Sequence, residues 1–259
     1  MGTKKKWHRG LAAFAAALSL LILWQVVSLF LPPYLLPGVP KTMARLVKMA
    51  AQPEFREGLQ ASLFRLAVGY GSAVALGAVL GLLGGLSRTF GAYLRQLIAI
   101  LQSIPPITWV PFLIILFGFG NIPVISVVAI ASFFPMALST LNATEGVGRT
   151  HVELARVLGA SRGQLLTKVY APEALPAIVT GAQVAFGNAW RSLIAGEMVG
   201  GASRGLGWSI SYAGEVADMA GVLVGILVIG ATASLIDHVL LEQLKRRLLH
   251  WRNTEGEAA

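Results

Sequence analysis

The sequence predicts an all-α integral membrane protein with six transmembrane helices in a single domain, residues 1–259, and three observations carry that prediction. Hydrophobic residues make up 55% of the chain and charged residues only 13%, against roughly 25% charged in an ordinary soluble domain. The apolar residues gather into six runs, each near the roughly 20 residues that a helix needs to cross a bilayer core. The basic residues sort unevenly between the loops on alternate sides of those runs.

The first run covers residues 11–31, after Lys4, Lys5, Lys6 and Arg9. It is longer than the roughly 7–15 residues of a signal-peptide core, and no small-residue cleavage site follows before Pro32 and Pro33. It therefore reads as a retained first helix. The second run, 66–86, holds no charge, and Ala73, Gly77, Gly81 and Gly85 recur every fourth residue. That spacing places them on one stripe, a face for close helix packing.

The third run, 97–119, and the fourth, 122–141, carry Pro105, Pro106, Pro111, Pro123 and Pro135. Each proline removes a backbone donor, and such breaks persist in a bilayer only where protein or a water-filled cavity satisfies the freed carbonyls. Either these helices line a pathway, with Ser103, Trp109 and Phe134 as lining residues and Asn188 of the fifth run beside them, or the kinks serve packing alone. The fifth run, 174–196, is interrupted only by Arg191. An ionisable group there faces the bundle interior or water. It attracts an anionic solute, pairs with an acid from another segment, or lies shallower than these bounds place it. Glu197, six residues on, falls on a different helical face. The sixth run, 219–236, is closed by Asp237.

With six crossings, one face receives the basic N-terminus, Arg88 and Arg95, the group Arg149, Arg156, Arg162 and Lys168, and the tail residues Lys245, Arg246, Arg247 and Arg252. The other face receives the smaller set Lys41, Arg45, Lys48, Arg56, Arg65 and Arg204. Basic residues concentrate in cytoplasmic loops, so both termini and the 150–172 loop are expected in the cytoplasm. The net charge of +9 thus reflects membrane orientation. No aromatic and basic platform for nucleic acid accompanies it. The chain has no cysteine for a disulfide or thiolate metal site, and His8, His151, His238 and His250 lie in separate segments, which argues against a metal cluster.

The 150–172 loop is punctuated regularly. Thr150 with Glu153 fits a capping box, Gly159 is placed to end the helix in a left-handed conformation, Ser161 with Gln164 repeats the start signal, and Pro172 bounds the second helix. Such an amphipathic hairpin could lie on the lipid surface or hold a partner. From Glu153 the pattern runs Glu-x-Ala, Gly six residues after the Glu, Val169 ten after the Gly and Pro172 three after that. This resembles the signature loop of permease subunits of ATP-binding-cassette importers, with Leu154, Val169 and Ala171 as mild departures. Ser103-Ile104-Pro105, Trp109 to Phe117, Phe134-Pro135 and Trp190 to Met198 look like the branch that imports sulfonates, taurine and nitrate.

The resemblance implies a type I importer permease fold with cytoplasmic coupling helices, in which Glu153, Leu154, Ala155, Gly159, Ala160 and Pro172 couple to a separate ATPase. It implies a second permease copy as homodimer partner, a periplasmic or lipid-anchored solute-binding protein, and a place in the bacterial inner membrane. Within that branch, vitamin precursors are alternative solutes. The chain has no Gly-x-x-x-x-Gly-Lys-Ser/Thr loop, so ATP and Mg are expected on the partner and no cofactor or catalytic residue in this chain. An ion-coupled secondary transporter is disfavoured because no acid lies well inside a run. A membrane enzyme is disfavoured by the lack of a carboxylate pair, histidine cluster or nucleophile elbow.

Overall fold

Small residues at every fourth position of a helix form a groove into which another helix can settle closely. A computed structural model of the chain describes residues 2–248, and in it that groove is the centre of the fold. The helices are α1 (Gly2–Phe30), α2 (Val39–Ala50), α3 (Pro53–Leu86), α4 (Arg88–Gln102), α5 (Val110–Phe117), α6 (Asn121–Glu145), α7 (Arg149–Val157), α8 (Arg162–Leu165), α9 (Ala171–Gly196), α10 (Leu206–Glu215), α11 (Met219–Leu235) and α12 (Glu242–Leu248). A single 3-10 turn, Pro106–Trp109, precedes α5, and π-helical turns at Leu166–Tyr170 and Ile236–Leu241 join α8 to α9 and α11 to α12. The side chains of Lys4, Lys5, Lys6, His8, Arg9 and Arg246, together with His250 and Arg252, lie outside what is described.

Along α3, Gly69 lies against Val128, Gly77 against Met136, Gly81 against Thr140 and Gly85 against Thr144. The partner positions rise along both helices, so α3 and α6 run parallel. A Cβ at Gly81 would overlap the Ala137 carbonyl and come within 2.7 Å of the Thr140 Cβ. The stripe that the sequence predicts is therefore the contact that sets the α3–α6 distance. Helix α9 runs antiparallel to α6, with Gly181 against Ser139 at one end and Gly196 facing Val124 at the other. Leu66, Val124, Val128, Phe186, Trp190, Leu193 and Leu206 fill the space where α3, α6, α9 and α10 meet. The buried hydroxyls of Ser132, Thr140 and Thr144 donate back to carbonyls of α6 itself, so they place no unpaired polar group in this interior.

The third predicted run departs most from expectation. Rather than one helix over 97–119, α4 begins at Arg88, stops at Gln102, and the following segment Pro106–Phe117 turns away by 81°. The physical reason is the Ser103-Ile104-Pro105-Pro106 sequence. Each proline pushes the residue before it out of helical geometry, and Pro105 itself sits at φ −56°, ψ 129°. Three helices, Pro53–Leu86, Asn121–Glu145 and Met219–Val239, are each long and apolar enough to cross a membrane, and the bent pair makes a fourth if it counts as one crossing.

At about 1.5 Å per residue α3 is roughly 50 Å long, well beyond the roughly 30 Å hydrocarbon core. Its first turns therefore project past the apolar layer, and Arg65 falls near that boundary. Arg65 belongs to the helix and is buried, not part of a connecting loop as the charge reading places it. The bundle thus has two polar ends. One, where α3, α6 and α11 begin, holds the pairs Arg45–Asp218, Arg65–Glu197 and Arg204–Glu57. The other holds Arg95–Glu145 and His151–Glu173.

Candidate functional site

At the Glu173 end, α6 gives way to a hairpin. Helix α7 closes on Gly159, whose φ of 80° lies in the left-handed region. The Ala160 N–H donates to the Ala155 carbonyl and the Gly159 N–H to the Arg156 carbonyl, both at 3.0 Å. That bond pair is a Schellman cap, and glycine holds it without Cβ strain. Ser161 then starts α8 with a full capping box, accepting from the Gln164 N–H while the Gln164 side chain accepts from the Ser161 N–H. Val147, Val152 and Leu165 form a small core beneath the hairpin, with Ala155, Ala160, Val169 and Tyr170 against it.

The start of α7 differs from the sequence reading. Its cap is Gly148, with no side-chain cap bond, so Thr150 and Glu153 make no capping box. Glu173 of α9 replaces it from across the hairpin, accepting the Gly148 N–H at 3.0 Å and meeting His151 Nδ1 at 2.9 Å. The Gly148 N–H bond first, and the His151 bond second, hold the Glu173 carboxyl below its ordinary range. Pro172 does not end a helix either. It sits in the first turn of α9, where a missing N–H costs little, and α8 runs through the π turn into α9 without interruption. On the outer face of the hairpin Leu154, Val157 and Leu158 are 59%, 84% and 77% exposed. Three large apolar side chains are thus grouped on one outer face that the chain itself leaves uncovered.

At the opposite end, Glu197 directly follows α9 and opens a π-helical turn, Glu197–Gly201, and it is fully buried. Arg65 Nη1 donates to Glu197 Oε1 at 2.6 Å, Ser62 Oγ donates at 2.8 Å, and the Gly207 N–H donates to Oε2 at 2.9 Å. Arg65 also donates to Asn121 Oδ1 at 2.8 Å and to the Arg204 carbonyl at 2.6 Å. Since Gly207 lies in the first turn of α10, the carboxylate also caps that helix. The two buried charges face each other directly and each takes further hydrogen bonds, the condition under which a buried ion pair is tolerable.

Between the two ends lies a cavity of about 320 Å³ bordered by α9, by Phe134 and Pro135 of α6, and by the α4–α5 break. Asn188, Arg191 and Ser192 line it from α9.

Residues 73–250 match the family of binding-protein-dependent transport system inner membrane components. The chain belongs to this family. It is 35% identical over 241 residues to the taurine transport system permease protein TauC of Escherichia coli, covering 91% of this chain and 87% of that one. It is 31% identical over 250 residues to the putative aliphatic sulfonates transport permease protein SsuC of Bacillus subtilis, covering 96% and 89%. It is 32% identical over 248 residues to the bicarbonate transport system permease protein CmpB of Synechococcus elongatus, covering 90% and 89%. Its fold is that of a solved chain of the MetNI methionine ABC transporter in an inward-facing conformation, with a TM-score of 0.63 at 22% identity over 74% of this chain and 94% of that one.

In this family member the structure gathers Glu153, Leu154, Ala155, Gly159 and Ala160 on one hairpin, with Pro172 at the root of α9. Of the residues named for a pathway, Phe134, Asn188 and Arg191 share the cavity. Ser103 instead ends α4, its hydroxyl donating to the Ala99 carbonyl, and Trp109 packs edge-on against Phe112. Arg191 has no acid partner among the described residues; its Nε donates to the Gly187 carbonyl. Residue-by-residue reading missed Ser62, Arg65, Glu173 and Glu197. A signal existed for two of them, since Arg65 and Glu197 are opposite charges bordering apolar runs at the same predicted face.

Proposed function

We propose that the chain is the membrane-spanning permease subunit of an ATP-driven importer that admits a small anionic solute. The single observation that carries this reading is the hairpin. Its exposed apolar face of Leu154, Val157 and Leu158 sits on a helix closed by a Schellman cap, and the hairpin continues without a break into α9. A partner that seats this face can move α9, and with it one wall of the cavity, as a rigid lever. The occupant is an ATPase on the cytoplasmic side, the side to which the basic residues assign the hairpin and both termini.

In this reading six helices cross the bacterial inner membrane, a second copy of the chain completes the pathway, and a periplasmic or lipid-anchored binding protein delivers the solute. ATP and Mg are bound by the partner ATPase and none of the chemistry belongs to this chain. The relatives named for taurine, aliphatic sulfonates and bicarbonate support a solute such as a sulfonate, taurine, nitrate or another small oxyanion.

The test is the ATP hydrolysis of the complete complex in proteoliposomes with and without loaded binding protein. Glu153→Ala and Gly159→Asp should each reduce the stimulation and the uptake while the permease still inserts and purifies with its normal elution. Unchanged stimulation and uptake in both variants would refute the coupling role.

A further inference from the structure

We infer that Arg191, Asn188 and Ser192 form an oxyanion-binding site halfway across the membrane, an inference that rests on the permease reading and specifies where its solute binds. The depth follows from the helix register. Gly181 of α9 is level with Ser139, and Gly196 with Val124, so Gly187 is level with Phe133, the midpoint of α6 (Asn121–Glu145). Arg191 folds back one turn to donate from Nε to the Gly187 carbonyl at 2.9 Å. Its guanidinium therefore sits at about mid-depth.

A cation there is costly unless it faces water or a counter-charge. Arg65, which is buried in the bundle, is enclosed by Glu197, Asn121 and the Arg204 carbonyl, whereas Arg191 is exposed. Arg191 has none of this. Its side faces the cavity, which no carboxylate lines. Asn188, Arg191 and Ser192 stand at helical spacing on one face of α9. Among the described residues, neither the Asn188 amide nor the Ser192 hydroxyl has a side-chain hydrogen bond within the protein. With Nε occupied, the two Nη groups remain as a planar fork that suits an oxyanion.

The facing wall, Phe134, Pro135 and Ile104, is apolar and suits a short aliphatic portion. The volume of about 320 Å³ is at the small end of the roughly 300–1,000 Å³ of ligand cavities. Size, charge and polarity thus agree on a small solute bearing a sulfonate, carboxylate or similar group.

The chain has no cysteine, so Gln102→Cys puts a single thiol on the cavity's other wall. The experiment uses the complete complex with its ATPase and binding protein in proteoliposomes. It measures the rate at which a cationic methanethiosulfonate modifies that thiol as taurine, ethanesulfonate or nitrate is added, and ATP-driven uptake of the same probes. At least one probe should slow modification. Arg191→Gln should shift its half-effective concentration upward by about ten- to one-hundred-fold, as expected for losing a charged hydrogen-bonding partner, and Arg191→Lys by less. Uptake of a probe with equal protection in Arg191→Gln and the Arg191 parent would overturn the site and leave the permease reading intact. Protection that depends on Arg191, without ATP-driven uptake of any probe, would keep the site and overturn the importer reading.

Discussion

Toward the start of α3, Arg65 and Glu197 are enclosed with Ser62, Asn121 and the N–H of Gly207, and each charge has its counter-charge and further hydrogen bonds. Where α6 ends, Leu154, Val157 and Leu158 face outward over a hairpin whose own core is a handful of side chains. The first end is internally complete, and the second presents apolar surface that the chain itself leaves uncovered. Substitutions at the first should therefore be felt by the fold, and at the second by whatever seats on it.

The largest effect is expected from Glu197→Ala, which leaves the Arg65 charge without its counter-charge, the Ser62 hydroxyl without its acceptor and the Gly207 N–H without its partner. Removing one partner of a buried ion pair costs about 3–5 kcal/mol, so the thermal unfolding midpoint in detergent should fall sharply or folded protein should be lost. A midpoint equal to the parent's would mean that the network does not hold the bundle. Gly159→Val is next. A β-branched residue at φ 80° is strained by about 1–3 kcal/mol, but the strain is confined to the hairpin, so coupling should fall while the bundle midpoint stays close to the parent's. Replacing Leu154, Val157 and Leu158 by serine should alter stability by no more than about 0.5 kcal/mol per exposed position, and should abolish co-purification of the ATPase.

The smallest effect concerns pH. The bond from the Gly148 N–H, and then that of His151, lower the Glu173 carboxyl below its ordinary value of 4.5. Its contribution to anchoring α7 is thus present above the unfolded value and is lost as the pH falls through the lower folded one. Hydrogen-exchange protection of the amides near Gly148 should drop over that acidic range, and Glu173→Gln should flatten the dependence.

The two ends also differ in how far they can be read from sequence. The hairpin is built from local signals, Gly159 six residues after Glu153 and Ser161 three before Gln164, because capping bonds join near neighbours in the chain. Even there, the cap at Gly148 comes from Glu173, 25 positions away, and a local rule assigns it to Thr150 instead. The Arg65–Glu197 bond spans 132 positions, and no periodicity encodes such a partner. The stripe of Ala73, Gly77, Gly81 and Gly85 declares a packing face without naming α6 as its occupant. The run over 97–119 reads as one helix because its hydropathy is continuous, although Pro105 and Pro106 supply the break that turns the chain by 81°.

The most direct test of the account is a photocrosslinking residue at Val157, in the complete complex, compared with the same residue at Phe119 near the beginning of α6. A crosslink to the ATPase is expected from Val157 and none from Phe119. A Val157 crosslink to the solute-binding protein, or an ATPase crosslink from Phe119, would contradict both the orientation and the coupling role of the hairpin.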